Sequence, residues 1–365
     1  MKNSKKLLIV FAAILMLLSC IPTTAFAEEK ETTITLKIAN FNVAGLPDVN
    51  NWLGKNDNDI SDNQEKIGRY FTEEKFDIIA VQEDFTYHDY IVKNLEGYNY
   101  QTTHSGSFLG GDGMNVFTSS YPIYNTTRNM WEQLSGVIED GADELSSKGL
   151  MYCVIEIAPG VYIDFYNIHA DAYDSEKDRA AREDNFRQVT DLINANYEKN
   201  NRPVVIVGDF NYHFHGTPAD DSNIHYYFLE KCGLKDAWVE LYNNGDYYNF
   251  DEWKATDDPN HFDHYWGRWD SVEKVMFKNG GGIEIDPASF EYEFVIADQS
   301  TGRRVSDHAN AKCELTFTVT EDFVPNTQEL GGDVTSKNSM ITELIGFLKI
   351  LIKLFANFDQ VLGLL

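Results

Sequence analysis

Residues 204–211 read Val204-Val205-Ile206-Val207-Gly208-Asp209-Phe210-Asn211. Four consecutive β-branched or branched apolar residues form the short continuous run expected of a strand buried on both faces. The run stops at a glycine. Asp209 and Asn211 then alternate across a turn, so both can face one pocket while Phe210 packs behind them. A single Gly-Asp-x-Asn is weak evidence, because turns favour these residues anyway. Here the pattern recurs. Asn40-Phe41-Asn42, Gln82-Glu83-Asp84, Asn167-Ile168-His169 and Ser306-Asp307-His308 each sit where an apolar strand meets a loop. Carboxylates and amides delivered by strand ends are hard oxygen ligands, and histidines beside them suit proton transfer.

Outward from these motifs the chain alternates strand and helix signals. Residues 33–42 alternate as a strand, 61–75 carry helical spacing at Ile67, Tyr70 and Phe71, and 77–82 form a second buried strand. A helix is expected over 87–95, then strands over 113–118, 149–157 and 161–168, the last two joined by the Ala158-Pro159-Gly160 turn. Residues 175–199 give the longest helix, with Phe186, Val189, Leu192 and Ile193 on its apolar side. Later strands are expected over 272–277, 290–296 and 311–319. Two strand-rich halves with helices between them imply an α/β fold: a four-layered sandwich of two mixed β-sheets flanked by helices.

The N-terminus has the layout of an export signal. Lys2, Lys5 and Lys6 precede an apolar core over 7–18, and Ala25-Phe26-Ala27 is a small-x-small cleavage site. A signal peptide over 1–27 implies a secreted protein; Cys20 offers a second reading as a lipid-attachment site. Beyond the main domain (28–320), residues 321–339 read as a linker. Residues 340–365 read as an apolar amphipathic helix with Glu343, Lys349, Lys353, Asn357 and Gln360 on a narrow polar stripe. Such a helix can lie in a membrane interface or dock back on the protein. The formal net charge of −28 weighs against tight, salt-driven nucleic-acid binding. Cys153, Cys232 and Cys313 leave room for one disulfide at most.

The five motifs, in this order, resemble those of the endonuclease/exonuclease/phosphatase superfamily, over about residues 34–320. That resemblance implies the same sandwich fold and hydrolysis of phosphate esters. It implies that Glu83 and Asn42 hold Mg²⁺, with Mn²⁺ or Ca²⁺ as alternatives, and that Asp307 and Asp209 complete the metal and water ligands. Asp209 would orient the attacking water, Asn211 would bind the phosphate, His308 would act as general base and His169 would donate to the phosphoryl group. The family carries an aspartate that orients the base histidine. The matching stretch here is Val272-Glu273-Lys274-Val275, so Glu273 or the nearby Asp270 must take that role.

The stretch 143–152, with Ser147-Lys148-Gly149, is similar to a segment of bacterial sphingomyelinase-like members. It points to a phospholipid or sphingomyelin-like headgroup ester as substrate, met at a membrane surface. A secreted deoxyribonuclease-like enzyme is the alternative, and a non-catalytic binding module on the same fold is the third reading.

Overall fold

The computed structural model describes residues 32–46, 60–106, 111–135, 148–173, 175–214, 224–248, 271–325 and 330. The expected signal segment, the C-terminal helix, Asp270 and most of the linker lie outside the described residues. Two six-stranded sheets dominate. In chain order the strands of the first are β1 (Thr32–Asn42), β2 (Ile78–Gln82), β3 (Tyr100–Gln101), β4 (Asn115–Thr118), β11 (Ile283–Glu293) and β14 (Asn310–Val319). They lie side by side as β11-β14-β1-β2-β4-β3. The second sheet holds β5 (Ile123–Met130), β6 (Gly149–Ala158), β7 (Val161–His169), β8 (Val204–Asp209), β9 (Lys235–Asp236) and β10 (Glu273–Lys278), ordered β5-β6-β7-β8-β10-β9. A small hairpin pairs β12 (Ile296–Asp298) with β13 (Arg303–Arg304).

Each sheet is built around one parallel pair, β1 with β2 and β7 with β8. A parallel pair needs a crossover, and a helix supplies each one. These are α1 (Ile60–Glu74) and α3 (Glu176–Asn200); α2 (His88–Val92) and α4 (Ala237–Tyr242) are short. Ser175 caps α3 in a capping box with Asp178, and Asn201 closes it in a left-handed conformation at φ 48°. The sequence therefore writes both ends of the longest helix among the described residues.

Strand alternation sorts the apolar residues. Leu36 and Ile38 of β1, with Ile78 and Ala80 of β2, join the large core that runs through both sheets. Ala39, Phe41, Ile79 and Val81 face the other way and pack with Ile67 and Phe71 of α1. On the second sheet, Phe186, Val189 and Ile193 of α3 are fully buried. Burying one such side chain contributes about 1.5–3 kcal/mol.

Between the sheets lies a buried cluster of amides. Asn40 Nδ2 donates across to the carbonyls of Gly208 (2.9 Å) and Lys274 (3.3 Å). Asn167 Nδ2 returns the contact to the carbonyls of Val81 (2.9 Å) and Asn115 (3.3 Å). Gln82 Nε2 links the two, donating to Asn40 Oδ1 at 2.8 Å and Asn167 Oδ1 at 2.7 Å.

Three expectations change. The helix expected over 87–95 shrinks to His88–Val92. The strand expected from 290 begins at Ile283 and ends at Glu293, with a register shift between Pro287 and Ser289. Proline cannot donate to a ladder, which is why the run reads as broken in sequence. Finally, Cys153, Cys232 and Cys313 are all free and buried, so no disulfide joins them.

The amide cluster makes a stability prediction. Asn40→Leu strands the Gly208 and Lys274 carbonyls and removes an acceptor from Gln82. The expected loss is about 1–3 kcal/mol for each buried polar group left unpaired, read from urea unfolding. A variant as stable as the parent would show that the bridge contributes nothing net.

Candidate active site

The topology gathers the motifs before any side chain is considered. Asn42 and Gln82 are register partners at the ends of the parallel strands β1 and β2. His169 and Asp209 are partners at the ends of β7 and β8. Glu273, at the start of the antiparallel β10, lies opposite Asp209. Open α/β sheets place their ligand crevices at such carboxyl ends. Gly208 permits the close approach of β7 and β8: it sits at φ 151°, and a Cβ there would fall 2.1 Å from the Ile168 carbonyl oxygen.

Asn42 Nδ2 donates to Glu83 Oε1 (3.0 Å) and to Asp209 Oδ2 (3.1 Å), bracing two carboxylates from different sheets. His169 Nε2 lies 3.4 Å from Asp209 Oδ2 and 4.0 Å from Glu83 Oε1. The other ring nitrogen of His169, Nδ1, is buried without a protein partner. Nε2 is thus the ring nitrogen placed to donate to the carboxylates. Trp131 holds this strand end, its Nε1 donating to the His169 carbonyl at 2.6 Å. Glu83 and Asn211 both adopt left-handed backbone, at φ 57° and 49°. Asparagine adopts this region readily, so the strain falls on Glu83, and such strain concentrates at functional positions.

His308 closes the cluster. Its Nδ1 is 2.5 Å from Glu273 Oε1 and 3.8 Å from Asp209 Oδ2. Ser271 donates to the second oxygen of Glu273. Ser306 ties the histidine loop to β1, donating to the Asn42 carbonyl (2.8 Å) and accepting from the His308 amide (3.1 Å). Burial alone would lower the His308 pKa, but the Asp209 charge and the hydrogen bond and charge of Glu273 outweigh it and hold the ring well above its ordinary value. Asp209 moves the opposite way. Burial opposes its ionisation, yet His308, His169 and Lys148 together hold its carboxyl below the usual range.

The sequence expectations fall unevenly on this geometry. Glu83, Asn42, Asp209, His169, His308 and Glu273 lie within one connected cluster. Asn42 presents its amide nitrogen to the carboxylates, while its Oδ1 accepts from the Ala44 amide at 3.0 Å. Direct ligation of a cation by Asn42 therefore requires the amide to turn over. Asn211 spends its amide on the Ala170 carbonyl at 3.0 Å. Asp307 is exposed beside His308. Of the two partners open for His308, Glu273 makes the contact. The extra methylene is accommodated because β10 starts opposite the end of β8, and Tyr292 anchors the Glu273 carbonyl at 3.0 Å. Sequence reasoning gave no site role to Lys148, which is 5 % exposed and acts on Asp209. A lysine directly before a buried strand, in so acidic a chain, was the available signal.

Glu83 and Asp209 present carboxylate oxygens to the same Asn42 amide and His169 ring, while Glu273 binds His308 and Asp307 acts on that ring from the exposed side. This oxygen-rich donor set fits a hard divalent cation. A cation there would offset the field of Asp209 on His308 and bring that ring nearer neutrality.

Double-sheet sandwiches with acidic and histidine side chains at the strand ends form a recognised class. The chain belongs to the Endonuclease/Exonuclease/phosphatase family 2, whose sequence model matches residues 39–247. It is 25% identical over 241 residues to a sphingomyelinase of Mycobacterium tuberculosis, covering 64% of this chain and 44% of the relative. The chain thus spans less than half the length of that relative. Among solved structures it resembles humanized D. rerio TDP2 (TM-score 0.55, 15% identity, 77% of this chain and 98% of that one). It also resembles the Staphylococcus aureus beta toxin with bound magnesium ions (TM-score 0.51, 19% identity, 77% and 99%). At these identities the structural likeness concerns the fold.

The His308 electrostatics are directly measurable. A histidine whose pKa is raised on folding contributes stability below its unfolded value of about 6.5 and loses it as pH rises through the folded value. In protein stripped of divalent ions, imidazole nitrogen NMR should show His308 protonated at pH 7, and Glu273→Gln should shift its titration downward. A neutral His308 at pH 7 in the parent protein would contradict this account.

Proposed function

We propose that this protein is a divalent-metal-dependent phosphodiesterase that directs a water molecule in line at phosphorus, with a phospholipid or sphingomyelin-like headgroup ester as substrate. The observation that carries the proposal is the joint bracing of Glu83 and Asp209 by Asn42, with His169 and His308 against the same carboxylates. Glu83 and Asp209 are the residues that would hold the cation, with Asp307 at the exposed side. A bound Mg²⁺ would polarise the phosphoryl oxygens and offset charge as the ester bond breaks.

The remaining chemistry belongs to the side chains. Asp209 accepts hydrogen bonds and orients the water. His308, aligned by Glu273, takes its proton. His169 offers its Nε2 proton to a phosphoryl oxygen and stabilises charge that grows in the transition state. Asn211 keeps the Asp209 loop in place through the Ala170 carbonyl and its own amide, which donates to Asp209 Oδ1 at 3.0 Å. The sphingomyelinase relative and the Lys148-Gly149 segment support a lipid headgroup. The acidic net charge of −28 disfavours a polyanion such as DNA. The export-type N-terminus and the apolar C-terminal segment support a secreted enzyme working at a membrane surface.

A side-by-side release assay with sphingomyelin, phosphatidylcholine, phosphoinositides and plasmid DNA in Mg²⁺ tests the reading. Sphingomyelin or phosphatidylcholine should be cleaved and chelation should abolish turnover. Preferential cleavage of DNA would install the nuclease reading, and silence on all four would favour a binding module. Glu83→Gln should lose most Mg²⁺-dependent turnover, and His308→Ala or His169→Ala should each cost about 10²–10⁴ in rate. Losses under tenfold for both histidines would place the chemistry elsewhere. Truncation after Ser339 should abolish vesicle sedimentation while sparing a soluble substrate; unchanged sedimentation would remove the tail from the picture.

A further inference from the structure

Glu83 belongs to the oxygen-rich cluster, but its neighbour Asp84 belongs to a different one. Asp84 is 1 % exposed and receives His88 Nδ1 at 2.6 Å and Asn115 Nδ2 at 2.8 Å on the same oxygen, Oδ2. His104 Nε2 reaches the Asp84 carbonyl at 2.9 Å. The two imidazoles stack, with centroids 4.1 Å apart and planes at 14°. One ligand-type atom from each of Asp84, His88 and His104 lies within 4.8 Å of the others; among the described residues no other trio of His, Cys, Asp or Glu does so.

We propose that Asp84, His88 and His104 form a second cation site, selective for a zinc-class transition ion rather than Mg²⁺. The chemistry of the donors makes the distinction. Imidazole nitrogens suit Zn²⁺ and its neighbours, whereas Mg²⁺ takes oxygen and keeps its waters. Two histidines and one carboxylate are a familiar zinc set, with a fourth position left for water. Tetrahedral bonds of about 2.0–2.1 Å put ligand atoms roughly 3.3 Å apart. Histidine χ2 is a soft torsion, so the rings can tilt out of their stack to close the set around an ion. The ion replaces the proton shared by His88 and Asp84, and the Asn115 amide continues to orient the carboxylate, as outer-shell partners of metal ligands do.

Position gives the site a consequence. His88 stands four residues after Asp84, and His104 comes from the loop beyond β3. An ion held by all three cross-links these segments at the residue next to Glu83, whose left-handed backbone must be kept. The site therefore stiffens the loop that aims Glu83. The site goes beyond the phosphodiesterase reading, and its existence does not depend on it.

The test uses the full chain and Co²⁺ as a spectroscopic stand-in for zinc. Protein stripped with chelator and reloaded with millimolar Mg²⁺ should retain one equivalent of Co²⁺ in equilibrium dialysis, with a visible ligand-field band. The band should persist in Glu83→Gln and disappear in the His88→Ala/His104→Ala double variant. Should the double variant fold poorly, His104→Gln keeps a donor for the Asp84 carbonyl while removing the imidazole, and should weaken Co²⁺ at least tenfold. Absence of the band in the parent, or its survival in both variants, overturns the proposal. Loss of the band in Glu83→Gln alone would assign the ion to the central cluster and overturn it equally.

Discussion

The architecture depends on three buried amides, Asn40, Gln82 and Asn167, that clamp one sheet to the other. A sandwich held only by apolar contact can slide, because dispersion and burial are non-directional. Hydrogen bonds to specific carbonyls fix the offset. Each amide sits one or two residues before a site residue: Asn40 before Asn42, Gln82 before Glu83, Asn167 before His169. Their acceptor Gly208 precedes Asp209 in the same way. The register of the two sheets and the geometry of the cluster are therefore a single constraint. This explains why polar side chains occupy positions where leucine or valine would bury more apolar surface.

The electrostatics of the cluster follow from that enforced proximity. The Asn42 amide ties Asp209 of one sheet to Glu83 at the edge of the other. A carboxylate buried as deeply as Asp209 must have its charge compensated. His308, His169 and Lys148 do so for Asp209. The cost appears at His308, held protonated by the same carboxylates that align it. The same two carboxylates thus set both the orientation and the charge of the His308 ring.

Much of this was legible in the sequence, for identifiable reasons. The runs at β2 and β8 are continuously apolar because both faces are covered, and α3 carries its own start and stop signals in Ser175 and Asn201. The strand ends were legible because carboxylates and amides abruptly follow apolar runs. What escaped lacks such local marks. β5 is a largely polar strand at a sheet edge, with Asn125 at φ 51°, and reads as loop. β11 is interrupted by Pro287. The π-helical turn His225–Lys231 has no period that distinguishes it from an ordinary helix. Lys148, Trp131 and the approach of His104 and Asn115 to Asp84 act through contacts distant in sequence, and only the fold brings these together.

The choice of glutamate at 273 shows how local departures are absorbed. Glu273 meets His308 Nδ1 with Oε1 at 2.5 Å. Here the second oxygen accepts from Ser271, and the Glu273 carbonyl accepts from Tyr292, so both the side chain and its strand are pinned. Ser271 lies two residues earlier on the chain, and Tyr292 comes from β11 of the facing sheet. Glu273 thus meets the His308 ring with both its side chain and its backbone supported. Glu83 follows the same logic with strain in place of reach: its left-handed backbone is held by the Gly45 and Phe85 amides on its own carbonyl (3.1 and 2.9 Å) and by the Asp84 amide on the Gly113 carbonyl (2.8 Å). An unfavourable backbone costs about 1–3 kcal/mol and persists only where its surroundings over-determine it. Here three main-chain hydrogen bonds fix Glu83 and the residue after it, so backbone geometry sets the direction from which the carboxylate departs.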